Sequence, residues 1–300
     1  MPSSVEIILV PAVMILLGIL LKKFGVLVEG DGNTLAKIVL NISLPSLIFS
    51  SVSSSVINGE MVYVPIISLG ISFICMIIAY VYSRLRGYSK IKTWTIIILL
   101  SMINTGFIGY PVVMGIFGNE GFLYAVFFDF STSILLVIFG TILSSFFGGN
   151  KKEVIKSSFT FIPLWAVIFG VIFNVLHITL PYVVESSLNY LGASTIPLIM
   201  LSVGLKIRFE NFKSSVSDTL FVTLSRLLLS PIILYTILTQ IGFTGFLLNV
   251  SVLQSAMPTA MNSLVLAITY DLDMNITNSV IVLTTVCSVV TLPFIMTFLL

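Results

Sequence analysis

Two short polar interruptions, set in apolar surroundings, carry the residue types that bind an anion reversibly. The first reads Asn104-Thr105-Gly106-Phe107-Ile108-Gly109-Tyr110-Pro111, the second Ala256-Met257-Pro258-Thr259-Ala260-Met261-Asn262. Each places an amide and a hydroxyl beside a proline, which removes a backbone donor and breaks a helix. Half-helices are expected to begin just after Pro111 and Pro258. Their free N–H groups and about half a positive charge then face the breaks, so an anion is the favoured guest. Asn104, Thr105, Thr259 and Asn262 add neutral donors, Gly106 and the two prolines complete the expected substrate-binding set, and a carboxylate held this way can also be released. The competing reading is that Asn104 and Asn262 only satisfy carbonyls freed by the breaks.

The first break lies inside an apolar stretch, Leu99 to Phe117, with Trp94 to Ile103 leading into it. Backbone freed at membrane depth is tolerated only where protein buries it or a wet cavity lines it. Composition requires that setting. Of 300 residues, 57% are hydrophobic and 9% charged, far below the roughly 25% charged of a soluble domain, and the mean hydropathy is +1.16. The chain reads as an all-α, multi-pass membrane protein. Its net charge of +2 gives no reason to expect nucleic acid. Cys75 and Cys287 lie in apolar runs without Cys-x-x-Cys spacing and read as packing residues. No cation precedes the first apolar run, whose Lys22 and Lys23 follow it, so no cleavable signal peptide is expected.

Ten spans are expected: Val5–Leu27, Leu35–Ser53, Met61–Ser83, Trp94–Phe117, Gly121–Phe147, Phe159–Leu176, Pro181–Leu205, Val216–Gln240, Thr244–Tyr270 and Ile276–Leu299. Short connections leave no room for a soluble catalytic domain, so residues 1–300 form one transmembrane unit. Lys22 and Lys23, then Arg84, Arg86, Lys90 and Lys92, then Lys151, Lys152 and Lys156, then Lys206, Arg208 and Lys213 follow spans one, three, five and seven. The loops after spans two, four, six and eight carry no Lys or Arg. The positive-inside rule puts the odd loops in the cytoplasm and both termini outside. The loop after span nine, with Asp271 and Asp273, is silent on this.

A shift of 152 positions lays Pro11 on Pro163, Gly18 on Gly170 and Pro45 on Pro197. It also carries the break near Gly106 to the break at residues 256–262. Two repeats, 5–147 and 159–299, of five spans each must be inverted relative to one another. Paired interrupted segments in inverted halves point to a transport site at the midplane.

With these segments in view, the chain resembles the auxin efflux carrier family, in its bacterial branch of small-anion carriers. The resemblance rests on the 104–111 segment, Phe117-Gly118-Asn119-Glu120-Gly121, Tyr124-Ala125-Val126-Phe127-Phe128-Asp129, the 256–262 segment, Leu44-Pro45-Ser46-Leu47-Ile48-Phe49 and Thr291-Leu292-Pro293. It implies a fold like that of sodium/proton antiporters and bile acid symporters, with broken helices four and nine crossing in a core (61–147 and 216–299). The resemblance also implies a scaffold (5–53 and 159–205) that carries this core, a homodimer formed through it and elevator-type alternating access. Plant members have a long cytoplasmic loop where this chain has a short mid-chain joint, and a second proline where it has Ser263. They match it at Arg226-Leu227-Leu228-Leu229-Ser230-Pro231 but not at Asp129.

The leading expectation is a secondary carrier of a small organic anion in the plasma membrane, such as malonate, malate or an auxin-like acid, without a cofactor or bound metal. An anion channel and a binding sensor without flux are the rivals. No Gly-x-x-x-x-Gly-Lys-Ser/Thr loop is present for ATP use, and no His-Glu-x-x-His or Gly-x-Ser-x-Gly for catalysis, so an enzyme is not expected. Asn41, Ser43 and Pro45 are expected to face the crossing from the scaffold or to cap a kink. Asp129 and Arg226 are the deepest charges, about 12 and 15 Å into their spans at 1.5 Å per residue. Each costs about 2.5–3.5 kcal/mol there, so an ion pair is expected, with Asp129 either bracing the core or taking up a proton during transport.

Overall fold

The computed structural model describes residues 4–148, 156, 160–207 and 216–299. Among these residues the chain is helical throughout, with no strand beyond one isolated antiparallel bridge. Lys151, Lys152, Arg208 and Lys213 of the loop-charge pattern lie outside the described residues. Six helices are long and apolar enough to cross a bilayer. They are α2 (Glu29–Ser54), α3 (Gly59–Leu85), α5 (Thr105–Phe147), α7 (Tyr182–Lys206), α8 (Val216–Ile241) and α11 (Met274–Leu299). The others are α1 (Ser4–Lys23), α4 (Lys90–Ser101), α6 (Ile162–Val175), α9 (Gly245–Ser255) and α10 (Asn262–Thr269).

Proline placement explains most irregularities. Three helices widen into a five-residue π turn, at Val39–Ser43, Thr105–Gly109 and Ser225–Leu229. Each is followed, two residues on, by a proline: Pro45, Pro111 and Pro231. A proline offers no N–H to the carbonyl four residues back and its ring presses on that carbonyl. Here those carbonyls belong to Asn41, Phe107 and Leu227, the middle residue of each π turn. A wider turn relieves the clash without ending the helix. Gly118, at φ +63° and ψ −157°, bends α5 sharply between 105–117 and 119–147; that backbone is open only to glycine at low cost.

Helices α1, α2, α6 and α7 pack in two like pairs. A Cβ on Gly18 of α1 would stand 2.7 Å from the Leu201 carbonyl and 3.0 Å from Gly204 Cα in α7. A Cβ on Gly170 of α6 would stand 3.5 Å from the Phe49 carbonyl and 2.9 Å from Val52 Cβ in α2. Gly18, Phe49 and Val52 are each 152 positions before Gly170, Leu201 and Gly204. The helix ends follow the same shift. Lys22 Nζ donates to the Ile207 carbonyl at 3.1 Å, and Asn174 Nδ2 donates to the Ser55 carbonyl at 2.6 Å. One position thus satisfies the last carbonyls of a neighbouring helix with a cation in one half and an amide in the other.

Candidate functional site

The two polar segments meet. Ile103 and Thr259 form the antiparallel bridge, flanked by Asn104 N donating to the Pro258 carbonyl at 2.9 Å and Ala260 N donating to the Met102 carbonyl at 3.0 Å. The Asn104 and Ala260 N–H groups and the Met102 and Pro258 carbonyls find their partners across the crossing, so this pairing satisfies backbone that lipid cannot. The Thr259 hydroxyl donates to the Leu99 carbonyl at 2.9 Å, and Thr259 N to Thr284 Oγ1 at 3.3 Å. Around this knot α4 and α9 end, and α5 and α10 begin.

The half-helices do not start where the prolines suggest. Helix α5 begins at Thr105, six residues before Pro111, because its π turn accommodates the proline. Helix α10 begins at Asn262, four residues past Pro258, because residues 258–260 are held in the extended pairing. Pro111, Pro258 and Thr259 therefore build the crossing without lining its cavity.

That cavity, of about 60 Å³, is well above the roughly 10–15 Å³ that a site needs to hold a water. Its polar wall comes from Asn104, Thr105 and Gly106 of the first break, Asp129, Thr132 and Ser133 of α5, and Asn262 of α10. Asn104 is buried; its Oδ1 accepts from Phe107 N at 3.2 Å, while its Nδ2 has no protein partner. A buried donor without a partner is costly, and this one borders the cavity. Asn41, Ser43 and Pro45 do not form the opposite wall. Asn41 Nδ2 turns back to the Lys37 carbonyl at 2.7 Å on an exposed face. Ser43 is buried away from the cavity, and Val39, Leu40, Leu44 and Ile199 stand there instead.

Asp129 and Arg226 do not pair. Asp129 accepts from the hydroxyls of Thr105 and, at 2.9 Å, Tyr110; no cation lies within ion-pair distance among the described residues. Arg226, fully buried, sends Nη1 to the Leu100 carbonyl at 2.7 Å and Nη2 to the Ser255 carbonyl and the Ser230 hydroxyl, both at 2.5 Å. Leu100 and Ser255 lie at the C-terminal ends of α4 and α9, where unpaired carbonyls concentrate negative charge. The guanidinium is drawn to three oxygens at the break, two of them helix-end carbonyls, instead of to the carboxylate, and the carboxylate sits by the start of α5.

Sequence reasoning passed over Tyr110 as a partner of Asp129 and Thr132 as a partner of Thr105, although Thr132 lies three residues after Asp129 and so on the same helix face. It also missed a cluster away from the crossing. Lys92 Nζ pairs with Asp218 Oδ2 at 2.7 Å, and Tyr82 and Tyr88 donate to Asp218 Oδ1 at 2.8 and 2.6 Å. Burial, and then the Asp218 contact, push the Tyr88 phenol above its usual range. The cluster ties the ends of α3, α4 and α8 together.

A second, larger cavity of about 410 Å³ adjoins the first, and Leu40, Phe107, Met261 and Asn262 line both. It runs between α2 and α7 on one side and α10 and α11 on the other, to a mouth at Glu29 and Lys206.

The family model described as "Membrane transport protein" matches residues 4–296. An uncharacterized transporter of Methanothermobacter thermautotrophicus is 39% identical over 293 residues, covering 97% of each chain. The uncharacterized transporter MJ1031 of Methanocaldococcus jannaschii is 34% identical, with 94% of each chain covered. The uncharacterized transporter YfdV of Escherichia coli is 21% identical over 85% of this chain and 84% of its own.

Proposed function

The chain belongs to the membrane transport protein family, the family of the auxin efflux carriers, and from that premise we propose a secondary carrier of small organic anions. Its carboxylate substrate binds at the crossing, on Asn104 Nδ2, the Asn262 amide and the N-terminal N–H groups of α5 and α10. The observation that carries this reading is the buried, unpartnered donor of Asn104 on the wall of a polar cavity between two half-helix starts.

Asp129 sits on the same wall without a cation. An anion and an ionised carboxylate repel in so small a space of low dielectric. Asp129 therefore takes up a proton when substrate binds, and the carrier is a proton symporter. Protonation leaves the carboxyl hydrogen-bonded to the same hydroxyls.

The mechanism is alternating access of an elevator type. Helices α1, α2, α6 and α7 form the scaffold and homodimer contact; the remainder forms the moving core. The contacts repeating at 152 positions support a 5+5 inverted repeat of ten transmembrane segments. With Lys22 capping one side and Asn174 the other, the charge asymmetry supports both termini outside a plasma membrane. A thermal-shift screen of the purified protein against a carboxylate panel tests the reading, since a binder stabilises by mass action. Accelerated exchange of labelled substrate by unlabelled substrate on the far side separates a carrier from a channel or sensor.

A further inference from the structure

Resting on the carrier reading, we propose that Lys206 is an anion-recruiting residue that loads carboxylate from the inner face, and that the outer face lacks its equivalent. The large cavity behind Lys206 carries three amides, Asn33, Asn262 and Asn278, and ends on Asn262 of the crossing. It is thus a passage from the surface to the site, walled mainly by apolar side chains with these amides along it, and Lys206 is its cation. Glu29 shares the mouth and pairs with Lys22 at 3.8 Å.

The opposite surface has a groove of closely similar size, about 400 Å³. The 152-position shift relates its lining to that of the inner cavity: Ser51 to Val203, Ser54 to Lys206, Ser55 to Ile207 and, in the other direction, Glu185 to Asn33. Where the inner mouth has an ammonium, the outer has a serine hydroxyl; where the inner has an amide, the outer has a carboxylate. Two clefts built on matching positions differ at those positions by a positive charge on one side and a negative charge on the other. A charge at a cleft mouth raises the local concentration of its counter-ion and acts mainly on capture. Anionic substrate is therefore captured at lower concentration from inside than from outside.

The test uses membrane vesicles containing the full chain, with labelled malonate as the probe. Lys206→Gln is expected to raise KM for uptake by inside-out vesicles about threefold or more, an effect that salt erases, and to leave KM in right-side-out vesicles unchanged. Glu29→Gln is expected to lower KM in inside-out vesicles, and Lys206→Arg to keep the wild-type value. Ser54→Lys is expected to lower KM in right-side-out vesicles. Lys206→Gln with unchanged KM, with an equal rise in both orientations, or moving the same way as Glu29→Gln overturns the proposal, the last because a merely structural ion-pair network predicts it. If wild-type vesicles of neither orientation transport malonate or any other carboxylate tried, the carrier reading itself fails.

Discussion

Arg226 and Asp129, the two most deeply placed charges, serve opposite ends of one helix break and do not touch. The Arg226 guanidinium donates to the Leu100 and Ser255 carbonyls at 2.7 and 2.5 Å, closing the C-terminal ends of α4 and α9. Asp129 accepts the hydroxyls of Thr105 and Tyr110 at the start of α5. Each charge is opposite in sign to the helix end it contacts. The crossing is thereby held by Arg226 and left chemically open at Asp129.

Arg226→Ala should accordingly destabilise the fold more than it alters substrate preference. It strands the buried Leu100 carbonyl, worth about 1–3 kcal/mol when left unpaired, and leaves the Ser255 carbonyl only the Ser230 hydroxyl at 3.2 Å. Thermal unfolding in detergent should show a large fall in Tm, with Arg226→Lys intermediate because one ammonium cannot span both helix ends. A variant as stable as wild type contradicts the capping role.

Gly109 and Gln254 form a second test of the crossing. A Cβ added to Gly109 would collide with the Gln254 side-chain amide, whose buried Oε1 and Nε2 have no hydrogen-bond partner. Gly109→Ala should lower Tm and transport, and Gly109→Ala combined with Gln254→Ala should recover much of both. A double variant worse than Gly109→Ala alone means that the collision is not the cause.

Asp129→Asn should bind carboxylate and lose pH dependence. Protonation of Asp129 removes a negative charge beside the substrate, so wild-type uptake rises as pH falls. The amide is neutral at every pH and gives a flat profile. An Asp129→Asn profile that follows wild type refutes proton coupling at this residue.

Topology is open to cysteine labelling in a chain whose Cys75 and Cys287 are replaced by serine. A cysteine at Asn119 should react with an impermeant reagent from outside, and one at Lys156 only from inside. The reverse pattern inverts the orientation and moves the Lys206 mouth to the outer face.

The membrane class was legible in the composition and the two breaks in their residues, because proline, glycine and amides in apolar runs leave few structures that satisfy the backbone; that the breaks meet was an expectation from the family resemblance, and the structure brings them together. The 152-position shift was visible in three glycine and proline matches, and the structure turns it into contacts at Gly18 and Gly170. Partner choice was not legible. Similar depth brought Asp129 and Arg226 together on paper, but depth fixes one coordinate, and the carbonyls of Leu100 and Ser255 were the nearer demand. The starts of α5 and α10 were misplaced for a related reason: a proline marks strain, and a π turn or an extended pairing can absorb it several residues away. Asn41, exposed and bonded to Lys37, shows the same limit for a polar residue near a kink.

The most direct test of anion binding at the crossing is the Tm of wild type, Asn104→Ala and Asn262→Ala with and without a saturating carboxylate, taking malonate first and then the rest of the panel. A ligand at a hundred times its Kd stabilises by about 2.7 kcal/mol, a shift easily read. Wild type is expected to gain that stability, and both variants to unfold near the wild-type Tm without ligand and gain none with it. Both variants stabilised by the ligand as fully as wild type would contradict a substrate held by these amides and leave them as satisfiers of the helix breaks.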